Sequence, residues 1–471
     1  MENICFGRGF ALIVLVSFFF HAICVDNHLN HNDLVIGKSR EALEIIIGGG
    51  GGGGGIGIGI GIGGGNPPPP PPNYQGCPPP PPLPCPSPPP HSPASPYPFE
   101  SKRIEIVYPV IQRFKSKIKY DPHGITKTWN GYDICNKYKG FICDILNDYG
   151  TKAVAGVNFN GFNFDGPELD LNSFIEELPD IIVFHANSNN FKGSFPSKIS
   201  KLKYLYELDL SNNKYSCEFP YQILGATKLT FLDLRFNTFS GLLPPQIFML
   251  DLDVLFVNNN NFMQKLPDNL GSTPALYLTL ANNKFIGPIP RSIGLGQTSK
   301  TLIEVLFLNN QLSGCLPCEI GLLEKARVFD VSRNFLTGPI PQSFACLLKM
   351  EILNLANNQF YGPVPELVCK LPNLGNLSLS NNYFTEIGPE CWKLIQKKVL
   401  DFRMNCIPGL PMQRSPAQCH AYLSRPKYCP QTPMPCKGFS GNSIEPSEFD
   451  PKSIAPAKPP LSYTVLKPHR L

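Results

Sequence analysis

Nine asparagines recur at near-constant spacing along this chain, each followed seven residues later by a proline. The pairs are Asn189/Pro196, Asn213/Pro220, Asn237/Pro244, Asn260/Pro267, Asn283/Pro290, Asn310/Pro317, Asn334/Pro341, Asn358/Pro365 and Asn382/Pro389. Successive asparagines lie 24, 24, 23, 23, 27, 24, 24 and 24 residues apart. Apolar residues stand five and three positions ahead of each, as in Leu208-Asp209-Leu210-Ser211-Asn212-Asn213. One such unit cannot bury its apolar edge alone, so a period of this length demands a stack of like turns.

Each slot of the period has a physical role. Alternating apolar residues such as Leu232/Leu234, Leu278/Leu280 and Leu353/Leu355 predict a short strand with an inward apolar face. The asparagine follows where the backbone must turn with its polar groups inward, and its amide can serve both N–H and C=O. Two residues later Phe191, Phe239, Phe262, Phe285, Leu312, Leu336, Phe360 and Phe384 predict a second apolar column. The turns Gly287-Pro288-Ile289-Pro290 and Gly338-Pro339-Ile340-Pro341 complete the pattern. The pattern resembles the plant extracellular leucine-rich repeat. The resemblance implies an α/β fold: a right-handed leucine-rich-repeat solenoid with a parallel β-sheet on its concave face and disulfide-capped ends.

The flanks sort around that core. Residues 1–24 carry Arg8, an apolar run from Phe10 to Phe20 and then Ala22-Ile23-Cys24, the pattern of a cleaved secretory signal. Residues 25–100 hold a glycine-rich stretch and the proline-rich stretch Pro67–Pro98, and are expected to be a linker of extended polyproline pieces. Residues 101–153 are expected to form an N-terminal cap, with Val107, Val110, Ile111, Phe114 and Ile118 on one helical face. The repeats run over 154–405, a cysteine-rich C-terminal cap over 406–436 and a disordered tail over 437–471. No later run of 18 apolar residues occurs, so no transmembrane anchor is expected.

Of sixteen cysteines, two stand just before the repeats and five crowd their end, which suits disulfide-locked caps in an oxidising compartment. Cys135 and Cys143 are expected to bridge. Cys391, Cys406, Cys419, Cys429 and Cys436 are expected to hold further bridges, and Cys346 could pair with Cys369. Cys315-Leu-Pro-Cys318 has neither a second such pair nor histidines beside it, so neither a metal nor a redox cofactor is expected. Asn376-Leu377-Ser378 is an acceptor triplet for N-glycosylation.

The segment Asn405-Cys406-Ile-Pro-Gly-Leu-Pro-Met-Gln413-Arg414-Ser415-Pro416-Ala-Gln418-Cys419 is similar to the leucine-rich-repeat extensins, as are Phe184-His185-Ala-Asn-Ser-Asn189 and Asp268-Asn-Leu-Gly-Ser-Thr-Pro274-Ala. The resemblance runs from about Tyr108 to Cys429 and does not reach that family's long Ser-Pro domain, so a truncated relative is expected. It implies a ligand of the family's class, the small basic cysteine-rich rapid alkalinisation factors.

The residues themselves point the same way. The variable strand positions carry Glu207, Asp209, Asp233, Asp253, Glu304, Asp330 and Glu351 against Arg235, Arg327 and Arg333. Seven acids against three bases leave −4 there, while the chain as a whole is +5. With aromatics interleaved, the expected ligand patch is Tyr206, Glu207, Asp209, Phe231, Asp233, Phe256 and Tyr277, open to a small basic secreted peptide or protein. Lysines at both Asp209 and Asp233 should then slow association without moving the melting temperature. An acidic face argues against nucleic acid, and no nucleophile–histidine–acid spacing suggests an enzyme. The other reading is an inhibitor of wall-degrading enzymes or a pectin binder resembling polygalacturonase-inhibiting proteins. Its basic stripe would be Lys192, Lys198, Lys201, Lys203 and Lys228.

Overall fold

A computed structural model describes residues 98–146, 148–425 and 428–429. The signal segment, nearly all of the glycine- and proline-rich stretch, Cys436 and the tail lie outside the described residues.

The chain enters through the helix Lys102–Lys117, whose first turn is capped by Ser101 accepting from the Ile104 N–H. Ile104, Val107, Val110, Ile111 and Phe114 are its buried face. Phe114 stacks on Phe174 with ring centroids 3.7 Å apart. Trp129 is fully buried among Phe141, Phe159 and Phe164, and its indole N–H donates to the Lys139 carbonyl at 2.9 Å. Cys135 and Cys143 are joined. The cap also holds a hairpin that the periodicity does not mark: Phe141–Leu146 runs antiparallel to Thr151–Asn158 and forms the first strand of the sheet.

From Thr151–Asn158 onward the strands pair in parallel, one per repeat, into a twelve-stranded sheet ending at Leu400–Asp401. The strands are three residues long through the repeats, so register settles everything. The middle residues Leu208, Leu232, Leu255, Leu278, Val305, Phe329, Leu353 and Leu377 align and are buried in the core. Their neighbours make two outer columns. One runs Glu207, Phe231, Val254, Tyr277, Glu304, Val328, Ile352, Asn376; the other runs Asp209, Asp233, Phe256, Thr279, Leu306, Asp330, Asn354, Ser378.

The repeat asparagines form a buried ladder. Asn310 donates from Nδ2 to the carbonyls of Leu280, Phe307 and Leu308, and its Oδ1 accepts from the Phe285 N–H of the preceding repeat. Asn405, inside the C-terminal cap, makes the same set with Leu379, Phe402, Arg403 and Phe384, so the ladder continues one rung beyond the proline-marked series. The residue just before each buried asparagine has positive φ, as at Asn212, Asn259, Asn282, Asn309, Asn357 and Asn381. Asparagine tolerates that left-handed conformation better than most residues, which explains the doubled Asn-Asn. The apolar column two residues on is buried from Phe191 to Phe384, with Tyr215 filling its second place.

A second, lateral sheet of five short strands forms from the segments after the asparagines, Ile286–Gly287, Gln311–Cys315, Phe335–Gly338, Gln359–Pro363 and Tyr383–Glu386. The extra residues in the 27-residue period form a short helical turn, Thr298–Thr301.

The C-terminal cap is fastened onto the repeats more than within itself. Cys406 pairs with Cys419, but Cys391 pairs back with Cys369, and Cys429 reaches Cys315 across 114 residues. The expected Cys346–Cys369 pair therefore does not form: Cys391, on the helix Pro389–Gln396, brings its Cα within 5.0 Å of Cys369, and Cys346 is disulfide-bonded elsewhere. Gly338 (φ +95°) lies against the Cys315–Cys429 bridge, where any Cβ would run into Cys429 Sγ. Arg414 donates to the Asn382 carbonyl and to Asn381 Oδ1, and lies over the Tyr383 ring, which Tyr422 covers from its own helix Pro416–Leu423.

Candidate functional site

The expected ligand residues come together on the strands Glu207–Asp209, Phe231–Asp233, Val254–Phe256 and Tyr277–Thr279, which are consecutive in the sheet. Register places Glu207 beside Phe231, and Asp209 beside Asp233 and then Phe256. Tyr206 precedes the first of these strands and is 38% exposed; Tyr277 is half-buried.

The other five differ from the exposed surface expected of them. Glu207, Asp209, Phe231, Asp233 and Phe256 are all buried. Neighbouring strands lie only about 4.8 Å apart, so outward side chains on adjacent strands meet one another. Phe231 and Phe256 pack edge to face at 6.3 Å, and the Arg235 guanidinium lies over Phe256. Asn187 Nδ2 donates to Asp209 Oδ2 at 2.9 Å, while Asp209 Oδ1 accepts from the Ser211 N–H. Asp233 meets Arg235 twice, through the backbone N–H and through Nε at 2.8 Å. His185 is buried with Nε2 3.0 Å from Glu207 Oε2 and its ring beside Phe231. The patch is a packed network of three acids, a histidine and an arginine, rimmed by Tyr206 and Tyr277.

Burial changes the chemistry of these acids. It pushes the Asp233 carboxyl up to about 7, with the Asp209 charge adding to it and Arg235 opposing. Burial alone pushes Glu304, in the column of Glu207, up to about 8. At His185 burial opposes the imidazolium, but the hydrogen bond to Glu207 and the charges of Asp209 and Glu207 outweigh it, so its pKa lies above the usual value. All three are raised in the fold. Their stabilisation is complete below the unfolded-state pKa and is lost as pH climbs through the folded one. From the ordinary carboxyl values of 3.8 and 4.5 the window runs to about 7 and about 8. The melting temperature should therefore be higher at pH 5 than at pH 8, and Asp233→Asn with Glu304→Gln should flatten that difference in thermal scans. An unchanged slope in the double variant would contradict it.

The same burial overturns one expectation. A lysine at Asp233 would place a second cation beside Arg235 in a fully buried position, so it cannot leave the melting temperature unmoved. The lysine stripe is also depleted: Lys192 pairs with Asp165 at 3.3 Å, and Lys203 with Asp148 at 2.7 Å. Lys198, Lys201 and Lys228 remain exposed. Among the described residues no cluster of His, Cys, Asp and Glu could hold a metal ion, and no helix is long and apolar enough to cross a membrane.

A family model described as Leucine Rich Repeat matches residues 228–250. Leucine-rich repeat extensin-like protein 6 of Arabidopsis thaliana is 51% identical over 337 residues, covering 70% of this chain and 69% of that protein. Leucine-rich repeat extensin-like protein 4 of the same plant is 48% identical over 70% of this chain and 65% of its own length. For extensin-like protein 2 the figures are 43% identity, 50% and 29%, so the chain spans between 29% and 69% of the length of these three relatives. Among solved structures, the crystal structure of PEPR1-AtPEP1 superposes with a TM-score of 0.54 at 26% identity, over 64% of this chain and 45% of that one. The crystal structure of a plant ice-binding protein gives a TM-score of 0.52 at 23% identity, over 66% and 98%. That last likeness is one of fold alone.

Proposed function

The chain belongs to the leucine-rich-repeat extensin-like family, and from that premise we propose that it is a secreted protein of the plant cell wall and apoplast that captures small basic peptides on the patch between Tyr206 and Tyr277. Repeats of this kind form an extracellular protein-interaction scaffold. The observation that supports a basic partner is the patch itself: Glu207 and Asp209 concentrate negative charge in the two outer columns of one sheet face, flanked by the exposed Tyr206 and the half-buried Tyr277. Complementary potential steers encounter, and rings at the rim supply anchors that govern dissociation. A binding role, not catalysis, follows from residues that are locked against one another in the sheet.

The test is capture of a small basic, cysteine-rich peptide by the full chain. Tyr206→Ala with Tyr277→Ala should speed dissociation by roughly tenfold or more, since truncated anchors cost upward of 1 kcal/mol. Glu207→Gln with Asp209→Asn should slow association and flatten its salt dependence. Melting temperatures read alongside separate a lost contact from a loosened sheet. Capture unaltered in both variants would move the site elsewhere. Binding of oligogalacturonides in place of the peptide would favour the pectin-binding alternative through Lys198, Lys201 and Lys228.

A further inference from the structure

One strand of the sheet differs from its neighbours in what it presents. Asn376–Ser378 is both a complete strand and the acceptor triplet Asn-Leu-Ser. Leu377 is buried in the core, while Asn376 is exposed on the same face as the ligand patch. Asn376 Oδ1 accepts from Ser378 Oγ at 2.9 Å, and no hydrogen bond among the described residues holds its Nδ2. In the other outer column the face turns small and polar, with Asn354 and Ser378 half-buried where earlier strands carry Asp233 and Phe256, while Ile352 is half-buried beside Asn376 in its own column.

We infer that Asn376 carries an N-linked oligosaccharide, and that this glycan closes the C-terminal end of the concave face and keeps a macromolecular partner off the strands from Ile352–Asn354 to Leu400–Asp401, confining it to the strands before them. The inference rests on the secreted address proposed above. In the transfer, Asn376 Nδ2 displaces the pyrophosphate from the anomeric carbon of a lipid-pyrophosphate-linked oligosaccharide. One C–N bond forms, the anomeric C–O bond breaks with its electron pair leaving on the pyrophosphate, and the amide gives up one proton.

Register sets the geometry. Asn376 stands in the same column as Tyr277, with Glu304, Val328 and Ile352 between them. Four strand steps of about 4.8 Å put it about 19 Å from Tyr277, and seven steps put it about 34 Å from Glu207. A branched, hydrated oligosaccharide rooted there overhangs the adjoining strands Ile352–Asn354 and Leu400–Asp401, yet leaves the acidic patch open. Asn354 and Ser378 give part of the surface beneath a polar character, beside the half-buried Ile352.

The shared column supplies the test. The full chain, secreted from plant cells, is mapped by mass spectrometry after enzymatic deglycosylation in heavy-oxygen water, which turns a glycosylated asparagine into labelled aspartate. Label at Asn376, lost in Ser378→Ala, is expected; an unmodified Asn376 in the secreted protein overturns the inference. Tyr277→Asn then completes a second triplet with Leu278 and Thr279 in the middle of the patch. Its glycosylated form should lose capture of the basic peptide by roughly a hundredfold, whereas Tyr277→Gln, with no acceptor, should stay within about tenfold of the parent. Asn376→Gln should capture as the parent does. Equal capture by glycosylated Tyr277→Asn and by Tyr277→Gln would show that a glycan on this column excludes nothing, and would sink the confinement. Occupancy of Asn376 is read without any ligand, so failure of the parent to capture the peptide would count against the proposed function and leave the glycan decided by the map.

Discussion

Replacing Asn310 by leucine should lower the melting temperature by on the order of 10 °C, at roughly 2–4 °C per kcal/mol for a domain of this size. The side chain is buried and makes four backbone hydrogen bonds, three from Nδ2 and one to Oδ1. Leucine fits the volume but answers none of them. Each buried backbone group left without a partner costs about 1–3 kcal/mol, and the Phe285 N–H belongs to the preceding repeat, so the interface between two turns is loosened as well. Asn309 is the control. It is exposed, sits at φ +53° and gives one hydrogen bond to Asn282 Oδ1. Asn309→Gly keeps the left-handed backbone and should cost less than about 1 kcal/mol. Equal melting shifts for Asn310→Leu and Asn309→Gly would mean that the inner amide is not what holds successive turns together.

Truncating Trp129 should have an effect of similar size but a different reach. Trp129→Ala removes a fully buried ring in contact with Phe141, Phe159 and Phe164 and leaves the Lys139 carbonyl without its donor. Large aromatic truncations of this kind cost about 3–5 kcal/mol. Stability in a stack of repeats is transmitted between neighbours, so the loss should stay near the N-terminal end. Amide exchange should speed up in Phe141–Leu146 and Thr151–Asn158, with the strands around Leu353 and Leu377 still protected. Exchange accelerated evenly along the sheet would show instead that the solenoid melts as one unit.

What could be read from the chain and what could not divide along physical lines. The asparagine and phenylalanine columns repeat with the period, so Asn310 and Phe285 announce their environment by position alone. The left-handed residue before each buried asparagine leaves a weaker trace, because Phe236 and Arg333 occupy it as well as Asn309. Cys429 gives no sequence sign of its partner: closing onto Cys315 depends on where 113 intervening residues carry it. The hairpin strand Phe141–Leu146 was missed because its alternation is short and broken by a bulge at Ile142/Cys143. On the outer face the repeat spacing puts the residues of the patch on neighbouring strands, but their exposure is not legible in it. Whether Asp233 meets water is decided by Arg235, Asp209 and Phe256, which come from three successive repeats, and a single strand's pattern cannot carry that.

The Cys315–Cys429 bridge also sets how the molecule bears tension. A pull applied at Cys429 itself does not peel the last strands away one by one. It passes through the sulfur atoms directly to Cys315 and enters the solenoid in the lateral strand Gln311–Cys315. Leu400–Asp401, Asn376–Ser378 and the repeats back to Cys315 lie inside the covalent loop and carry no load. The 114-residue separation corresponds to roughly 400 Å of contour at full extension, part of which Cys369–Cys391 and Cys406–Cys419 keep closed when this bond alone is reduced.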